Sequence, residues 1–329
     1  MGNTVLVTGA SGLLGANVVR YLYDAGYQIK VLVRSSANLS ALADVPFRLC
    51  YGSIDDQATV DQAVSGCDYV VHAASLTTQW GVSYEEYKAI NVEATKFIAQ
   101  ACLKHKVKKL IYISTANTLG PGSLQQPGTE LNAFSLHHLN SGYINSKYIA
   151  LQYIQEQVQQ QGLPAVTISP TFMIGKYDIK PSSGQLLLHG LNKKVLVYPP
   201  GGKNFVHVTD VCQGIHKAML VGQVGEVYLL AGHNLTYKDF FQKLRTQTAQ
   251  SGNMFKAPKL LLQSLGRIGS LYRTVSRRQV KLDYAAAYML CLDNYYSGAK
   301  ASRDLDIQYQ SIDTAIEDAL SWFRQNNYC

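Results

Sequence analysis

A tyrosine and a lysine four residues apart could together form an acid–base pair. They are Tyr143 and Lys147, at the start of a segment whose apolar residues recur at helical spacing. Residues i and i+4 lie on one face of a helix, so the phenol and the ammonium would be neighbours. A cation beside a phenol favours the phenolate and lowers the pKa of the tyrosine, which would let it exchange a proton near neutral pH.

A glycine-rich turn could bind the phosphates of a dinucleotide. Gly9, Gly12 and Gly15 follow an apolar strand and open a helix. The first glycine permits a tight turn, the second lets backbone N–H groups approach a pyrophosphate, and the third lets helix and strand pack closely. The N-terminus of the helix adds partial positive charge. We therefore predict cofactor contacts from Gly9, Ser11, Gly12, Leu13, Leu14 and Gly15.

The end of the second predicted strand discriminates between the two nicotinamide cofactors. A protein that prefers NAD usually has an acidic residue about 20 residues past the glycines, where it binds the ribose 2′-hydroxyl. Here the strand ends at Arg34, and no acidic residue follows it before Asp44. The Arg34 guanidinium could bind a 2′-phosphate through two hydrogen bonds. We predict NADP(H), with NAD(H) and an ordinary surface arginine as the alternative.

The elements that must position these residues follow a βαβ pattern. Short, almost wholly apolar runs, as expected of parallel strands buried on both faces, alternate with helical segments such as 84–104. We predict strands at 4–8, 29–33, 47–51, 69–72, 109–114 and 165–169. Because ligands bind beyond the carboxyl ends of such strands, Ser114, Thr115, Tyr143 and the glycine turn should converge on one crevice.

The regularity fades after Pro170. We predict loops at 176–184, 199–202 and 251–258, and a last helix at 311–326. The expected fold class is α/β: a Rossmann-type doubly wound parallel sheet in residues 1–170, followed by a smaller, irregular, mainly substrate-binding domain in 171–329. Part of 205–233 is expected to pack back on the Rossmann domain.

Composition excludes several classes of protein. The 329 residues are 47% hydrophobic, which excludes a disordered or fibrous chain. Mean hydropathy is −0.05, and no apolar run approaches the roughly 20 residues of a membrane-spanning helix. The first residues lack the pattern of a secretory signal, so we expect a cytoplasmic protein.

The formal net charge of +8 does not by itself identify a partner. Basic and apolar residues are densest together between 265 and 281, where we favour a solvated helix face or a pocket lid over contact with a membrane surface. That stretch contains Arg267, Arg273, Arg277, Arg278 and Lys281, with Leu265, Ile268, Leu271 and Tyr272. We expect a small-molecule substrate as the partner, and no nucleic acid.

No metal site is predicted. The six cysteines are scattered without a Cys-x-x-Cys pair, so we expect reduced thiols. The eight histidines include no His-Glu-x-x-His motif. We interpret His137-His138 as a loop doublet, because no third ligand is spaced to join it.

Together these motifs resemble the extended short-chain dehydrogenase/reductase superfamily, which includes NAD-dependent epimerases and dehydratases, over essentially the whole chain. The segments that carry the resemblance are Thr8-Gly-Ala-Ser-Gly-Leu-Leu-Gly15, His72-Ala-Ala-Ser75, Asn91-Val-Glu-Ala-Thr95, Ser114-Thr-Ala-Asn-Thr-Leu-Gly120, Tyr143-Ile-Asn-Ser-Lys147, Ser169-Pro-Thr-Phe-Met-Ile-Gly175 and Phe205-Val-His-Val-Thr-Asp-Val211. They are specific for the superfamily and much less so for the substrate.

The resemblance implies catalytic roles for three residues. Tyr143 would be the proton donor and acceptor, Lys147 would hold the nicotinamide ribose and depress the tyrosine pKa, and Thr115 would hydrogen-bond the substrate oxygen. It also implies that cofactor contacts include Ser53, Ile54, Ala73, Ala74, Ser114 and Pro170. Ser53 is a departure, because an Asp commonly contacts adenine at that place. Asn91 and Asp210 are expected to be structural.

Three chemistries share this scaffold. Dehydratases have an adjacent Asp-Glu after the catalytic hydroxyl, where this chain has Ala116-Asn117, and the polar stretches with which epimerases often hold a sugar diphosphate are missing. What remains resembles the dihydroflavonol reductase/3β-hydroxysteroid dehydrogenase branch, which implies interconversion of a carbonyl and a secondary alcohol on a hydrophobic substrate. Candidate substrate contacts are Thr77, Gln79, Trp80, Phe172, Met173 and Tyr177, for each of which core packing is an equal alternative.

Two other functions stay open. One is a nucleotide-sugar epimerase, and the other is a non-catalytic NADP-binding sensor or assembly factor, although such proteins tend to lose the tyrosine–lysine pair. A homodimer is the assembly that the resemblance implies.

Overall fold

The computed structural model describes residues 2–78, 80–276 and 280–329, and its centre is a seven-stranded parallel sheet. The strands in chain order are β1 (Thr4–Thr8), β2 (Gln28–Val33), β3 (Arg48–Tyr51), β4 (Tyr69–His72), β5 (Lys109–Ile113), β6 (Ala165–Pro170), β7 (Phe172–Ile174), β8 (Val195–Tyr198), β9 (Gly202–His207), β10 (Val227–Leu230), β11 (His233–Thr236), β12 (Asn253–Lys256) and β13 (Asp293–Asn294). The six strands predicted in the first half of the chain are confirmed, each to within one residue at either end.

The main sheet has the order β3-β2-β1-β4-β5-β6-β10, in which neighbouring strands are parallel. The chain moves outward from β1 in one direction to β3, then returns and continues from β4 in the other. Between β1 and β4 lies the switch point at which such sheets open a ligand crevice. The predicted Rossmann-type fold class is therefore confirmed.

Helices cover both faces of this sheet. In chain order they are α1 (Leu13–Asp24), α2 (Gln57–Val64), α3 (Tyr84–Tyr87), α4 (Ala94–Lys104), α5 (Gly142–Gln161), α6 (Gln185–Gly190), α7 (Val208–Val221), α8 (Tyr237–Thr248), α9 (Lys259–Ser276), α10 (Tyr284–Cys291), α11 (Ala299–Leu305) and α12 (Ile312–Gln325). Successive side chains of β1 pack into the apolar cores on opposite faces of the sheet. Val5 and Val7 pack with α1 and α7, whereas Leu6 packs with α2, α4 and α5. This alternation is the period-two geometry of a strand.

The helix predicted at 84–104 is confirmed over the same residues, with a π-helical turn at Lys88–Glu93 between α3 and α4. One local prediction is wrong. Glycine and proline suggested a loop at 251–258, yet β12 fits between Gly252 and Pro258 and pairs in parallel with β8. The last helix is confirmed as α12, whose cap Ser311 accepts a hydrogen bond from the Asp313 N–H at 3.2 Å.

The chain after Pro170 builds a second, smaller sheet in which β9 pairs with β7, β11 and β13. It also returns to the main sheet, where α7 packs against α1 and β10 pairs with β6. The division into 1–170 and 171–329 stays a prediction. Within the described residues, no helix combines the length and the apolar character that crossing a membrane requires.

Candidate active site

The turn between β1 and α1 needs two of its three glycines for packing. Gly9 has a φ of +74°, and a Cβ on it would lie 2.6 Å from the backbone nitrogen of Ala74. A Cβ on Gly15 would lie 2.1 Å from the carbonyl oxygen of Gly9. Gly12 differs, because its Cβ would meet that oxygen at an ordinary 3.5 Å. The space beside Gly12 is therefore open to a ligand.

The first turn of α1 offers free hydrogen-bond donors. Its cap residue, Gly12, has no side chain to satisfy the first backbone N–H groups, and the turn contains no acidic residue. Uncapped N–H groups and the helix dipole together favour an anion at this place. This fits the pyrophosphate of a dinucleotide, and Ser11, Leu13 and Leu14 belong to the same turn.

The other predicted cofactor residues lie at the carboxyl edge of the main sheet, as does the glycine turn. Arg34 follows β2, Ser53 and Ile54 lie just past β3, Ala73 and Ala74 follow β4, Ser114 follows β5, and Pro170 ends β6. The structure thus brings all of them to one side of the sheet. Their contact with a dinucleotide stays a prediction.

A buried hydrogen-bond chain holds the ends of β1 and β4 together. The Thr8 hydroxyl accepts a hydrogen bond from the Ala74 N–H at 3.2 Å and lies 2.9 Å from Nδ1 of His72. The His72 Nε2 lies 3.1 Å from the Thr95 hydroxyl. Burial lowers the pKa of His72 to about 3, so the ring is neutral. Because the Thr95 hydroxyl donates to the Asn91 carbonyl oxygen, it accepts from Nε2. Nδ1 of the neutral ring then accepts from Thr8.

Arg34 is exposed, and its guanidinium has no hydrogen-bond or ion-pair partner among the described residues. Asp44, the first acidic residue after β2, is instead paired with Arg20 on α1. No carboxylate between the start of β2 and Asp44 is thus present to bind a ribose 2′-hydroxyl. The arrangement leaves a free cation at the end of β2.

The two hydroxyl groups predicted to act on the substrate meet at the end of β5. Thr115 begins a short 3₁₀ turn, and its Oγ1 accepts a hydrogen bond from the Asn117 N–H at 3.3 Å. The Thr115 side chain also lies close enough to the phenol of Tyr143 to lower its pKa. Gly142, at the start of α5, lets that helix pack closely on α3, because a Cβ there would lie 2.6 Å from the ring of Tyr87.

Lys147 is buried, with only 2% of its surface exposed. Its Nζ donates a hydrogen bond to the carbonyl oxygen of Ile113 at 2.6 Å and lies 4.5 Å from the centroid of the Tyr112 ring. Neither partner carries a full negative charge. Burial therefore lowers the pKa of Lys147 to about 7.

The pKa of Tyr143 differs from the sequence-based expectation. We expected a depressed value, but burial raises the pKa of Tyr143, and the hydrogen bond from Thr115 offsets only part of this effect. The physical reason is desolvation of the phenol, to which the charge of Tyr87 adds. The Lys147 ammonium does not counter it, because that ammonium is hydrogen-bonded to a backbone carbonyl and is itself desolvated.

The π-helical turn positions a buried asparagine behind the tyrosine. The Asn91 Oδ1 accepts hydrogen bonds from the Ser75 hydroxyl at 3.0 Å and the Leu76 N–H at 2.8 Å. Its Nδ2 donates to the Ser146 hydroxyl at 2.9 Å, and that hydroxyl donates to the Tyr143 carbonyl at 2.9 Å. Asn91 thus connects the segment after β4 to the first turn of α5.

Sequence reasoning missed the apolar wall beside Tyr143. Its buried members are Leu136, Leu139 and Ile144, and the partly buried ones are Phe134, Tyr143, Tyr284, Ala285, Tyr288, Met289 and Leu292. We call these residues the apolar wall. The loop before α5 and the helix α10 supply them, and these segments are remote in sequence. The only available signal was the almost wholly apolar composition of α10.

Polar groups that the sequence analysis did not single out lie beside Thr115. The Asn294 Nδ2 donates to the Asn117 Oδ1 at 3.3 Å, while the Asn294 Oδ1 is buried and unpartnered among the described residues. Asn294 is in register with Lys203 on β9. The Lys203 ammonium lies 5.2 Å from the centroid of the Phe172 ring. Burial lowers the pKa of Lys203 to about 8.

The candidate substrate residues have different surroundings. Phe172 packs edge-on against Phe205, with ring centroids 5.5 Å apart, and Met173 packs against the core. Thr77 and Trp80 are exposed. Gln79 lies outside the described residues.

Tyr177 is not part of the apolar wall. Its ring lies 4.2 Å from the Arg20 guanidinium carbon and 6.4 Å from the Trp322 ring. It lines a separate cleft, together with Ser40 and Lys176. Tyr177 thus serves packing between α1 and α12, because its ring already has a cation and an aromatic partner. The described residues contain no cluster of three His, Cys, Asp or Glu side chains that could bind a metal.

The doubly wound sheet, the uncapped glycine turn at its switch point and the Thr115–Tyr143–Lys147 group define an NAD(P)-dependent enzyme of the extended short-chain dehydrogenase/reductase type. Comparison with known families agrees. The chain belongs to the NAD dependent epimerase/dehydratase family, whose model matches residues 5–231. The resemblance drawn from the motifs is confirmed.

Individual relatives cover the whole chain. A protein from Synechocystis sp. with the provisional name dihydroflavonol 4-reductase is 28% identical, over 100% of this chain and 96% of that protein. The crystal structure of gox2253 is 29% identical, covers 99% of both chains and superposes with a TM-score of 0.87. That of PA4631, a nucleoside-diphosphate-sugar epimerase from Pseudomonas aeruginosa, is 25% identical, covers 100% and 99%, and has a TM-score of 0.80.

Proposed function

We propose that this protein is an NADP(H)-dependent reductase or dehydrogenase that interconverts a carbonyl and a secondary alcohol on a hydrophobic substrate. The observation that carries the proposal is the packing of Tyr143 into the apolar wall. A ligand that reaches this phenol would bury apolar surface against that wall, as in most small-molecule sites. The provisional name of the Synechocystis relative, dihydroflavonol 4-reductase, indicates the same class of substrate.

The residues at the carboxyl edge of the sheet fit a dinucleotide. The uncapped first turn of α1 would hold the pyrophosphate, and Arg34 would bind the 2′-phosphate of NADP. Lys147 would lie at the nicotinamide ribose. When bound, the nicotinamide supplies or accepts a hydride.

Two hydroxyl groups would act on the substrate oxygen. Tyr143 would donate its proton to the oxygen of the carbonyl, and Thr115, whose side chain lies near the same phenol, would orient that oxygen. Negative charge that develops on the oxygen would be stabilised by both donors in a site shielded from water. Lys147, with a pKa of about 7, could exchange a proton near neutral pH.

Dehydration is not proposed. The positions after Thr115 are Ala116, which is buried, and Asn117, whose amide oxygen accepts a hydrogen bond from Asn294. Neither residue can serve as the carboxylic acid that removal of water needs.

The experiment follows NADPH absorbance with a panel of aldehydes, aromatic ketones, keto-steroids and UDP-sugars. We expect a hydrophobic carbonyl to oxidise NADPH and Tyr143→Phe to reduce turnover by about 10²–10⁴-fold, the usual contribution of a general acid. NADPH binding should survive in that variant. Tyr148→Phe is the matched control, because it removes a phenol oxygen from the same helix. Full turnover in Tyr143→Phe would contradict the proposal.

A nucleotide-sugar epimerase is the second candidate, favoured by one observation. Lys203 is a desolvated cation close to Asn294 and Phe172, and cations bind diphosphates. This candidate predicts tight binding of a UDP-sugar and its conversion without net consumption of NADPH. The same panel therefore separates the two candidates.

A further inference from the structure

The helix α9 has an exposed apolar face. Of its described residues only Gly266 is buried, whereas seven large apolar side chains are exposed. The exposed fraction is 63% for Ile268, 67% for Leu271 and 77% for Val275. The whole set is Leu260, Leu261, Leu265, Ile268, Leu271, Tyr272 and Val275. Their separations of three and four residues place them on one face of the helix, which we call the α9 apolar face.

A different side of α9 packs against the protein. A Cβ on Gly266 would lie 2.5 Å from the Ala287 Cβ, and a Cβ on Gly269 would lie 2.1 Å from the Leu282 carbonyl oxygen. These glycines let α9 approach α10 and the segment before it closely. This packing leaves the α9 apolar face uncovered.

The chain segment that contains α9 carries charge of one sign, although Arg273 is paired with Asp283 just beyond it. From residue 240 to residue 282 there is no Asp or Glu and there are nine Lys or Arg residues. They are Lys243, Arg245, Lys256, Lys259, Arg267, Arg273, Arg277, Arg278 and Lys281. Of these, Arg277 and Arg278 lie outside the described residues. Lys256, Lys259, Arg267 and Lys281 are exposed.

The segment that leads into α9 has the same character. Val195, Val197 and Phe255 of the two-stranded β8–β12 sheet are each more than half exposed, and Phe255 is in register with Val197. Lys193 and Lys194 precede β8 and are exposed. Exposed apolar and basic side chains thus continue beyond the helix itself.

We propose that α9 binds the surface of an anionic phospholipid bilayer, with the α9 apolar face at the boundary between headgroups and acyl chains and the basic residues toward the lipid phosphates. Helices with an apolar face and a cationic flank bind membranes in this way. A second copy of the chain is a poorer occupant of the α9 apolar face. Pairing two such faces would bring two basic segments without acidic residues together, and these would repel each other. The sequence alone favoured a solvated face or a lid, since it could not show which side of the helix is covered.

The test is flotation of the purified full-length protein with vesicles of phosphatidylcholine, with and without phosphatidylglycerol. We expect binding only when phosphatidylglycerol is present, and less binding as salt is raised. Replacing Ile268, Leu271 and Val275 together by Ser should weaken binding at least about tenfold, because these side chains supply buried apolar area. These side chains are exposed, so their replacement should leave the fold intact, and an unchanged midpoint of thermal unfolding checks this.

The control replaces Leu131, Leu220 and Val224 by Ser, since these apolar side chains are at least half exposed and lie outside α9. It should bind vesicles as the unchanged protein does. Equal binding by both triple variants, or no binding by the unchanged protein, would overturn the proposal. So would a dimer in sedimentation equilibrium that the α9 variant alone dissociates, because the occupant of the face would then be a second copy. The readout is binding, so it does not depend on the proposed reaction.

Discussion

The ammonium of Lys147 donates a hydrogen bond to the carbonyl oxygen of Ile113, the last residue of β5, at 2.6 Å. This contact fastens the first turn of α5 to the strand that leads directly into Ser114 and Thr115. It also satisfies one donor of a buried cation with a neutral acceptor. The position of the lysine and its lowered pKa therefore have one structural cause, which is burial between α5 and β5.

The low pKa of Lys147 predicts a pH dependence of stability. An unfolded lysine keeps its proton up to about pH 10.4, whereas Lys147 in the folded chain has a pKa of about 7. Between these two pH values the unfolded chain binds more protons than the folded chain does. The free energy of unfolding should therefore rise with pH, by at most about 1.4 kcal/mol per pH unit. Urea unfolding of the nucleotide-free protein between about pH 7 and pH 9 measures this slope.

Lys147→Met should remove that contribution, so its stability should rise less steeply with pH than that of the unchanged protein. Lys238→Met, which replaces an exposed lysine, is the control and should keep the slope. Identical slopes in all three proteins would show that Lys147 titrates normally in the folded chain.

The three glycines of the β1–α1 turn should respond differently to alanine. Gly15→Ala forces a Cβ to within 2.1 Å of a backbone oxygen and should destabilise the fold. Gly12→Ala meets only an ordinary contact at 3.5 Å, so its free energy of unfolding should change by no more than the roughly 0.5–1 kcal/mol expected of a glycine-to-alanine exchange. The same methyl group would obstruct a pyrophosphate, and NADPH affinity should fall about tenfold or more.

Fluorescence titration with NADPH and urea unfolding separate these effects. A Gly12→Ala protein that binds NADPH normally would exclude this turn as the pyrophosphate site.

Much of this architecture could be predicted from the sequence, because its determinants are local. The strands of the main sheet are apolar runs, and the glycine turn can be recognised from its spacing and its place after β1. Residues at the ends of parallel strands share one edge whatever the details of packing. That rule alone was enough to group Arg34, Ala74 and Thr115.

What could not be predicted depends on contacts between distant segments. The apolar wall joins residues near 136 to residues near 288, which no local pattern relates. The raised pKa of Tyr143 depends on how deeply the phenol is buried and on which atom Lys147 bonds. The π-helical turn that presents Asn91 is likewise set by tertiary contacts, since its sequence continues a helical period.

The free guanidinium of Arg34 predicts the preference between cofactors. Arg34→Glu should raise the KM for NADPH at least about tenfold with little effect on NADH, because a carboxylate would repel the 2′-phosphate. Arg48→Glu makes the same charge change on an exposed residue of the neighbouring strand β3 and should leave both values unchanged. Steady-state kinetics with each cofactor measures these KM values. An equal rise in KM for NADH and NADPH would exclude a role for Arg34 in selecting the phosphate.

Asn91 should stabilise the site without taking part in the chemistry. It is 1% exposed, and Asn91→Leu would leave the Leu76 N–H and the Ser75 hydroxyl without their acceptor. We expect the free energy of unfolding to fall by about 2–4 kcal/mol, since each buried unsatisfied group costs about 1–3 kcal/mol. Urea unfolding measures the loss, and an unchanged stability would show that the network around the π-helical turn is dispensable.

The apolar wall predicts how substrate binding depends on polarity. Met289 belongs to the wall, and Met289→Gln keeps the length of the side chain while adding an amide that a hydrophobic ligand cannot satisfy. The KM for a large hydrophobic carbonyl should rise about tenfold, which corresponds to roughly 1.4 kcal/mol, whereas kcat for a small aldehyde should change little because Tyr143 and Thr115 are untouched. Met254→Gln is the control, since Met254 packs in a different apolar cluster. If Met289→Gln lowered kcat for both substrates and left both KM values unchanged, α10 would act on the position of Tyr143 instead of lining the substrate pocket.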